Sequence, residues 1–158
     1  MRAEEMAALA AQVAQAVIAS LRVTLPQARE LIRAVEQRAA QMGVNAVVAV
    51  SDAAGHVIAV ECMENAYIAS FDVAVNKAFT VTALQMSTAQ LKPLAQPGAS
   101  LYGIQFTNGG KIVIFGGGEP LKRGGRIVGG LGVSGGTEEQ DTALAAFGAE
   151  IFAKITEG

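Results

Sequence analysis

Fourteen of the eighteen glycines in this 158-residue chain fall between Gly98 and Gly136, where they interrupt β-branched, apolar runs. The densest part is IVIFGGGEPLKRGGRIVGGLGVSGG, from Ile112 to Gly136, with a helix start directly after it. Glycine loses the most backbone entropy on folding. Such a density inside strand-like sequence therefore implies positive φ, tight turns, or a backbone that approaches another backbone or a ligand closely. Main chain here is expected to take part in recognition.

The flanking sequence supplies the rest of one compact domain. With 51% hydrophobic residues, a chain of this length buries roughly two-thirds of its unfolded surface. There is no Trp and 5% aromatic content, so the core is built from small and aliphatic side chains that also suit subunit packing. A net charge of −2 with 16% charged residues leaves no basic stripe for phosphates, which argues against nucleic acid as a partner. Cys62 is the only cysteine, which excludes an internal disulfide or a CxxC site and leans towards the cytosol. Glu4 and Glu5 precede the first apolar stretch and Gln12 and Gln15 interrupt it, so it reads poorly as a secretory leader. No run is expected to reach the ~18 apolar residues of a membrane span.

Met6, Leu9, Val13, Val17 and Leu21 recur at helical spacing and predict an amphipathic helix over residues 1–22, followed by a single domain over 23–158. A second helix starts at Thr24, with Gln27 closing a capping box and Pro26 in the first turn. Leu31, Ile32, Val35 and Ala39 form its buried stripe and Gly43 ends it. Asn45–Ser51 and Val57–Met63 read as a hairpin around Asp52-Ala53-Ala54-Gly55-His56. A long helix is predicted over Ala66–Met86, and a short one capped by Ser87 or Thr88. Three more strands are predicted at Leu101–Phe106, Lys111–Phe115 and Arg126–Ser134, with GGGEPLKRGG as a loop. Thr137 and Gln140 cap a final helix that runs to about Ile155. Consecutive antiparallel strands with flanking helices define an α+β fold with about five strands.

Several motifs carry competing readings. Gly130-Leu131-Gly132-Val133-Ser134-Gly135 matches GxGxxG, yet only 23 residues follow it, too few for the second parallel strand of a dinucleotide site. Lys77 stands among Ala74, Ala78 and Val81 on a weakly charged helix, so it either snorkels from a packed face or points into a pocket. His56, the sole histidine, excludes a multi-histidine metal site within one chain and reads either as an ordinary turn residue or as an axial iron ligand. Glu61 with Glu64 and Glu138 with Glu139 are paired carboxylates, the latter suited to a helix N-terminus.

The segments AVSDAAGHVIA (Ala49–Ala59), SFDVAVNKAFT (Ser70–Thr80), GGGEPL (Gly116–Leu121) and VGGLGVSGGTEEQD (Val128–Asp141) together resemble the GlcG/HbpS family, which includes the C-terminal domain of PduO-type proteins. The resemblance implies a profilin-like antiparallel sheet flanked by helices, assembly into homo-oligomers, often octamers, and binding of haem, with some members haem-degrading. It places Asp52, Gly55 and His56 in the family's D-x-x-G-H turn. Lys77 and Thr80 fall on its helix, Gly117, Gly118 and Pro120 in its GG-x-P loop, and Gly132 to Gly135 in its GVSG motif. Where the family commonly has R-M-D-G-A, this chain has Cys62-Met63-Glu64-Asn65-Ala66, which removes an arginine suited to a carboxylate.

With the resemblance, the expected ligand is haem or another tetrapyrrole, lined by Lys77, Thr80, Gly116, Gly117, Gly118 and Glu119. Lys77 would meet a propionate, and His56 would be the iron ligand, with Tyr67 or Tyr102 as substitutes. The alternatives are a carboxylate- or phosphate-binding enzyme or sensor using the Gly116–Gly118 amides, and a microcompartment-associated scaffold or cargo protein. The first helix resembles microcompartment targeting helices and is open to a shell or cargo partner as well as to plain oligomer packing. The expected setting is cytoplasmic, within or outside a bacterial microcompartment.

Overall fold

The computed structural model describes residues 1–157. Helices α1 (Ala3–Ser20) and α2 (Leu25–Gln41) lead into the hairpin β1 (Val47–Asp52) and β2 (Val57–Cys62). Helices α3 (Ile68–Leu84) and α4 (Thr88–Leu94) follow, then 3-10 turns at Ile104–Phe106 and Asn108–Gly110. A second hairpin, β3 (Gly118–Arg123) and β4 (Arg126–Ser134), precedes α5 (Glu138–Glu157). The four strands form one antiparallel sheet in the order β2-β1-β4-β3. This is the α+β class expected from the sequence.

Alternation along β1 divides the interior into two layers. Val48 and Val50 face α2 and α5, where they pack with Leu31, Ile32, Val35, Leu131, Leu144 and Phe152. Val47 and Ala49 face α3, against Ala74 and Ala78. The second layer is thin because β4 presents glycines to the helix. A Cβ on Gly132 would collide with the carbonyl oxygen of Ala74, and one on Gly130 with that of Ala78. The GxGxxG spacing is thus a seat for a helix backbone, and alternate glycines on one strand face set how closely α3 lies on the sheet.

The capping boxes at Thr24–Gln27 and Thr137–Gln140 both form. The buried stripe of α2 includes Leu31, Ile32, Val35 and Ala39, and Gly43 beyond its end adopts φ +71°.

Two expected strands are absent, and the sheet has four strands instead of about five. Leu101–Phe106 turns through Gly103, at φ +91°, into a 3-10 turn. Lys111–Phe115 is not in the sheet: Ile112 and Val113 are buried, and the Val113 amide donates to the Thr80 hydroxyl at 3.0 Å. Its apolar character reflects burial against α3. Conversely, Gly118–Arg123, read as loop, is strand β3. It lies at the sheet edge, where Pro120 and the charges Glu119, Lys122 and Arg123 are tolerated.

Helix α1 has no buried residue. A window within Ala3–Gln41 reaches a mean hydropathy of 1.5, long and apolar enough by composition to cross a membrane. That corrects the expectation of no such run. Eight of the eighteen residues of α1 are alanine, which lifts the index with little side-chain bulk.

Gly132→Ala is predicted to destabilise the fold by about 3 kcal/mol or more, since a rigid helix carbonyl occupies the space. Gly109→Ala, at φ +65° with nothing near its Cβ position, should cost about 1 kcal/mol. Equilibrium urea unfolding of both variants tests the difference.

Candidate functional site

Four segments converge at the end of the sheet where Val47 pairs with Ser134: the middle of α3, the end of β4, the start of α5 and the Gly116–Gly118 approach to β3. At their centre is Lys77, the largest fully buried side chain in the protein. Its ammonium donates to the Val133 carbonyl at 2.7 Å and to Asp141 Oδ2 at 3.2 Å. Its remaining side faces the Phe115 ring, 5.1 Å from the centroid. Asp141 Oδ1 in turn accepts from the Gly136 amide at 2.8 Å. Burial pushes the Lys77 amine down and the Asp141 carboxyl up, and each charge partly restores the other.

The glycines fold around this pair. Gly117 adopts φ +112°, and a Cβ there would lie 2.5 Å from Lys77 Nζ and 2.7 Å from the Val133 carbonyl oxygen. The Val133 amide donates to the Gly117 carbonyl at 2.8 Å. The Gly116 amide donates to Glu138 Oε1 at 3.0 Å and the Gly118 amide to Thr88 Oγ1 at 2.9 Å. Glu138 also accepts from Lys92 at 2.6 Å. The bonds to Lys92 and to the Gly116 amide hold its carboxyl below the ordinary range.

Lys77, Thr80, Gly116, Gly117 and Gly118 are therefore brought together, but as a clamp. Lys77 neither snorkels nor faces a cavity, so its cation is not available to a propionate. Thr80 is buried, donates to the Asn76 carbonyl at 2.7 Å and fixes Val113. The Gly116 and Gly118 amides expected to hold an anion are already paired within the protein. Glu119 stands apart, lining a hollow of about 500 Å³ with Ser87, Gln90, Lys122 and Glu150, where burial pushes its carboxyl up.

Beside the clamp opens a cavity of about 350 Å³ whose walls include Tyr67, Ser70, Val73, Phe115 and Ser134. Ser134 Oγ donates to Ser70 Oγ at 3.1 Å. Tyr67 was singled out from the sequence and Ser70, Phe115 and Asp141 were not. Asp141 is the partner that sequence reasoning missed. Its only signal is that it follows the Thr137–Gln140 box directly, one residue after the cap is closed.

His56 lies at the other end of the sheet. Five residue steps along β1 separate Val47, opposite Ser134, from Asp52, opposite Gly129, roughly 17 Å at strand rise. Its ring is 81% exposed, with Nδ1 3.5 Å from Asp52 Oδ2. Asp52 Oδ1 accepts from the Ala54 and His56 amides, both at 2.9 Å, and so shapes the turn. A carboxylate on the Nδ1 side leaves Nε2 open for a metal ion. Next to this turn is a hollow of about 440 Å³ lined by Leu21, Arg22, Val23, Ala54, Ile58 and Val128, among others. Tyr102 is exposed on the segment after α4. Among the described residues no group of three or more His, Cys, Asp or Glu side chains is placed to hold a metal ion.

A model of the family described as "Haem degrading protein HbpS-like" matches residues 23–150. The chain belongs to this HbpS-like family. An uncharacterised 15.0 kDa protein of the dhaT-dhaS intergenic region of Citrobacter freundii is 41% identical over 133 residues, spanning 84% of this chain and 94% of that one. The corrinoid adenosyltransferase PduO of Salmonella typhimurium is 43% identical over 116 residues, 73% of this chain but 34% of PduO. The HbpS-like chain thus spans about a third of that relative. Among solved structures, the PduOC:haem complex superposes with a TM-score of 0.78 at 39% identity, over 82% of this chain and 94% of that one. The family match begins at Val23, separated from the end of α1 by Leu21 and Arg22.

Because Glu138 is held below its ordinary value, its stabilising contribution is complete above the ordinary carboxylate range and is lost as pH falls through the depressed value. Raised carboxyls such as Asp141 act in the opposite sense, so the wild type alone does not isolate it. Glu138→Gln should narrow the stability gap to wild type as pH falls from 6 to 3. Melting temperature of both proteins across that range measures it.

Proposed function

We propose that this chain is a homo-oligomeric haem- or tetrapyrrole-binding accessory protein. The observation that carries the reading is its likeness, in sequence and over nearly the whole domain, to a relative whose structure is a haem complex. The setting proposed with it is the cytoplasm, in association with a bacterial microcompartment, on the strength of the likeness to PduO.

The residues present fit such a ligand at the His56 hairpin better than at the Lys77 clamp. His56 would ligate iron through Nε2, with Asp52 behind Nδ1. The neighbouring hollow offers apolar surface from Leu21, Val23, Ile58 and Val128, and one guanidinium, Arg22, of the kind that pairs with a propionate. These residues would hold part of a macrocycle. Bound haem supplies a redox-active iron; this chain supplies a ligand, apolar cover and a counter-charge. Binding is the proposed activity, not ring opening or adenosyl transfer. Neither Lys77 nor the carboxyls raised by burial, Asp141 and Glu119, line this hollow.

Haemin titration of the purified oligomer should give saturable binding with a shifted Soret band. His56→Ala is expected to weaken it tenfold or more and Arg22→Ala several-fold. Absence of saturable binding to the wild type would overturn the tetrapyrrole reading, and full retention in His56→Ala would overturn the ligand assignment.

A further inference from the structure

The feature that neither the fold nor the proposed ligand uses is α1. All of its residues are exposed. Met6, Leu9, Val13 and Val17, at spacings of three and four, make an apolar stripe along one face, each about half exposed. Among the described residues its one side-chain hydrogen bond to the domain is from the Arg123 guanidinium, which donates to the Ala19 carbonyl at 2.9 Å. An 18-residue helix with an open apolar face is marginal by propensity alone and gains most of its stability from packing.

We propose that α1 is a self-association helix that pairs antiparallel with α1 of a second copy of this chain. The charge pattern favours that orientation. Glu4 and Glu5 stand at the start of α1, where Arg2 pairs with Glu5 at 3.3 Å and leaves Glu4 in excess, and no charged residue occurs from Met6 to Leu21. The cations Arg22 and Arg123 gather at its end. Antiparallel packing sets the acidic end of each helix beside the basic, negative-dipole end of the other. Parallel packing sets acid against acid.

The side-chain sizes agree. With the two-fold axis midway between Ala11 and Gln12, Met6 meets Val17, Leu9 meets Ala14, and Ala10 meets Val13. Each of the last two layers thus sets a large side chain against an alanine, and the helices approach closely. A membrane surface is the poorer occupant. The polar residues of α1 beyond its first turn are Gln12, Gln15 and Ser20, with none of the Lys and Arg that anionic headgroups select.

The proposal shares Arg22 with the haem reading, and haemin binding by the same samples distinguishes failure of one from failure of the other. In the full-length chain carrying Cys62→Ser, cysteines are placed by Met6→Cys, by Val17→Cys, and by both together. Mild oxidation of the double variant should give a covalent dimer in high yield on a non-reducing gel, while each single variant stays largely monomeric on the gel. Cross-linking of the single variants would mean parallel helices and would overturn the orientation. Absence of cross-linking in all three would overturn self-association and leave α1 to another partner, such as a microcompartment shell protein. A Leu9→Glu variant, with unchanged circular dichroism beyond α1, should abolish the cross-link in the double-cysteine background.

Discussion

One buried amine organises the end of the sheet where α3, β4 and α5 meet. Lys77 holds the end of β4 through the Val133 carbonyl, the start of α5 through Asp141, and leaves room for only a glycine at 117. Removing a charge from water costs several kcal/mol, which the attraction of a buried partner offsets only when the geometry is good and the other hydrogen bonds are made. Here they are. Lys77 has two oxygen acceptors and an aromatic face, and Asp141 has a backbone amide on its second oxygen. The pair therefore fixes one arrangement of three elements, whatever its net contribution to stability.

That arrangement has a functional consequence. A cation satisfied inside the protein is unavailable to a ligand, and the same holds for the Gly116 and Gly118 amides paired with Glu138 and Thr88. Two open hollows remain, one near each end of the sheet. At one end of the sheet is a cavity walled by Tyr67, Ser70, Phe115 and Ser134. At the other, the exposed His56 imidazole stands beside a hollow that contains Arg22. Only the second combines a metal-ligating nitrogen with a guanidinium and apolar cover. The chain's polar groups are thus divided, a rigid clamp at one end of β1 and, at the other, the exposed surface proposed for the ligand.

Local signals in the sequence translated directly. The Thr24–Gln27 and Thr137–Gln140 boxes, the Asp52–His56 turn and the α2 stripe are all short-range patterns whose physics is complete within a few residues. The glycine run was legible as a place of close approach, but not which surface approaches. For Gly130 and Gly132 it is the backbone of α3. Ile112 and Val113 looked like strand because burial against a helix and burial in a sheet select the same side chains. β3 looked like a loop because an edge strand tolerates proline and charge. Lys77 was visible as an anomaly on its helix, yet its partner lies 64 residues away. No local pattern joins the two.

The most direct test of this division is the haemin affinity of the Lys77→Met, Asp141→Leu double variant, in which the buried pair is replaced by apolar side chains that need no partner. A folded protein with wild-type affinity is the result the account predicts, since the proposed ligand surface includes neither residue. A folded protein whose affinity falls tenfold or more would place the ligand at the Lys77 clamp and contradict it.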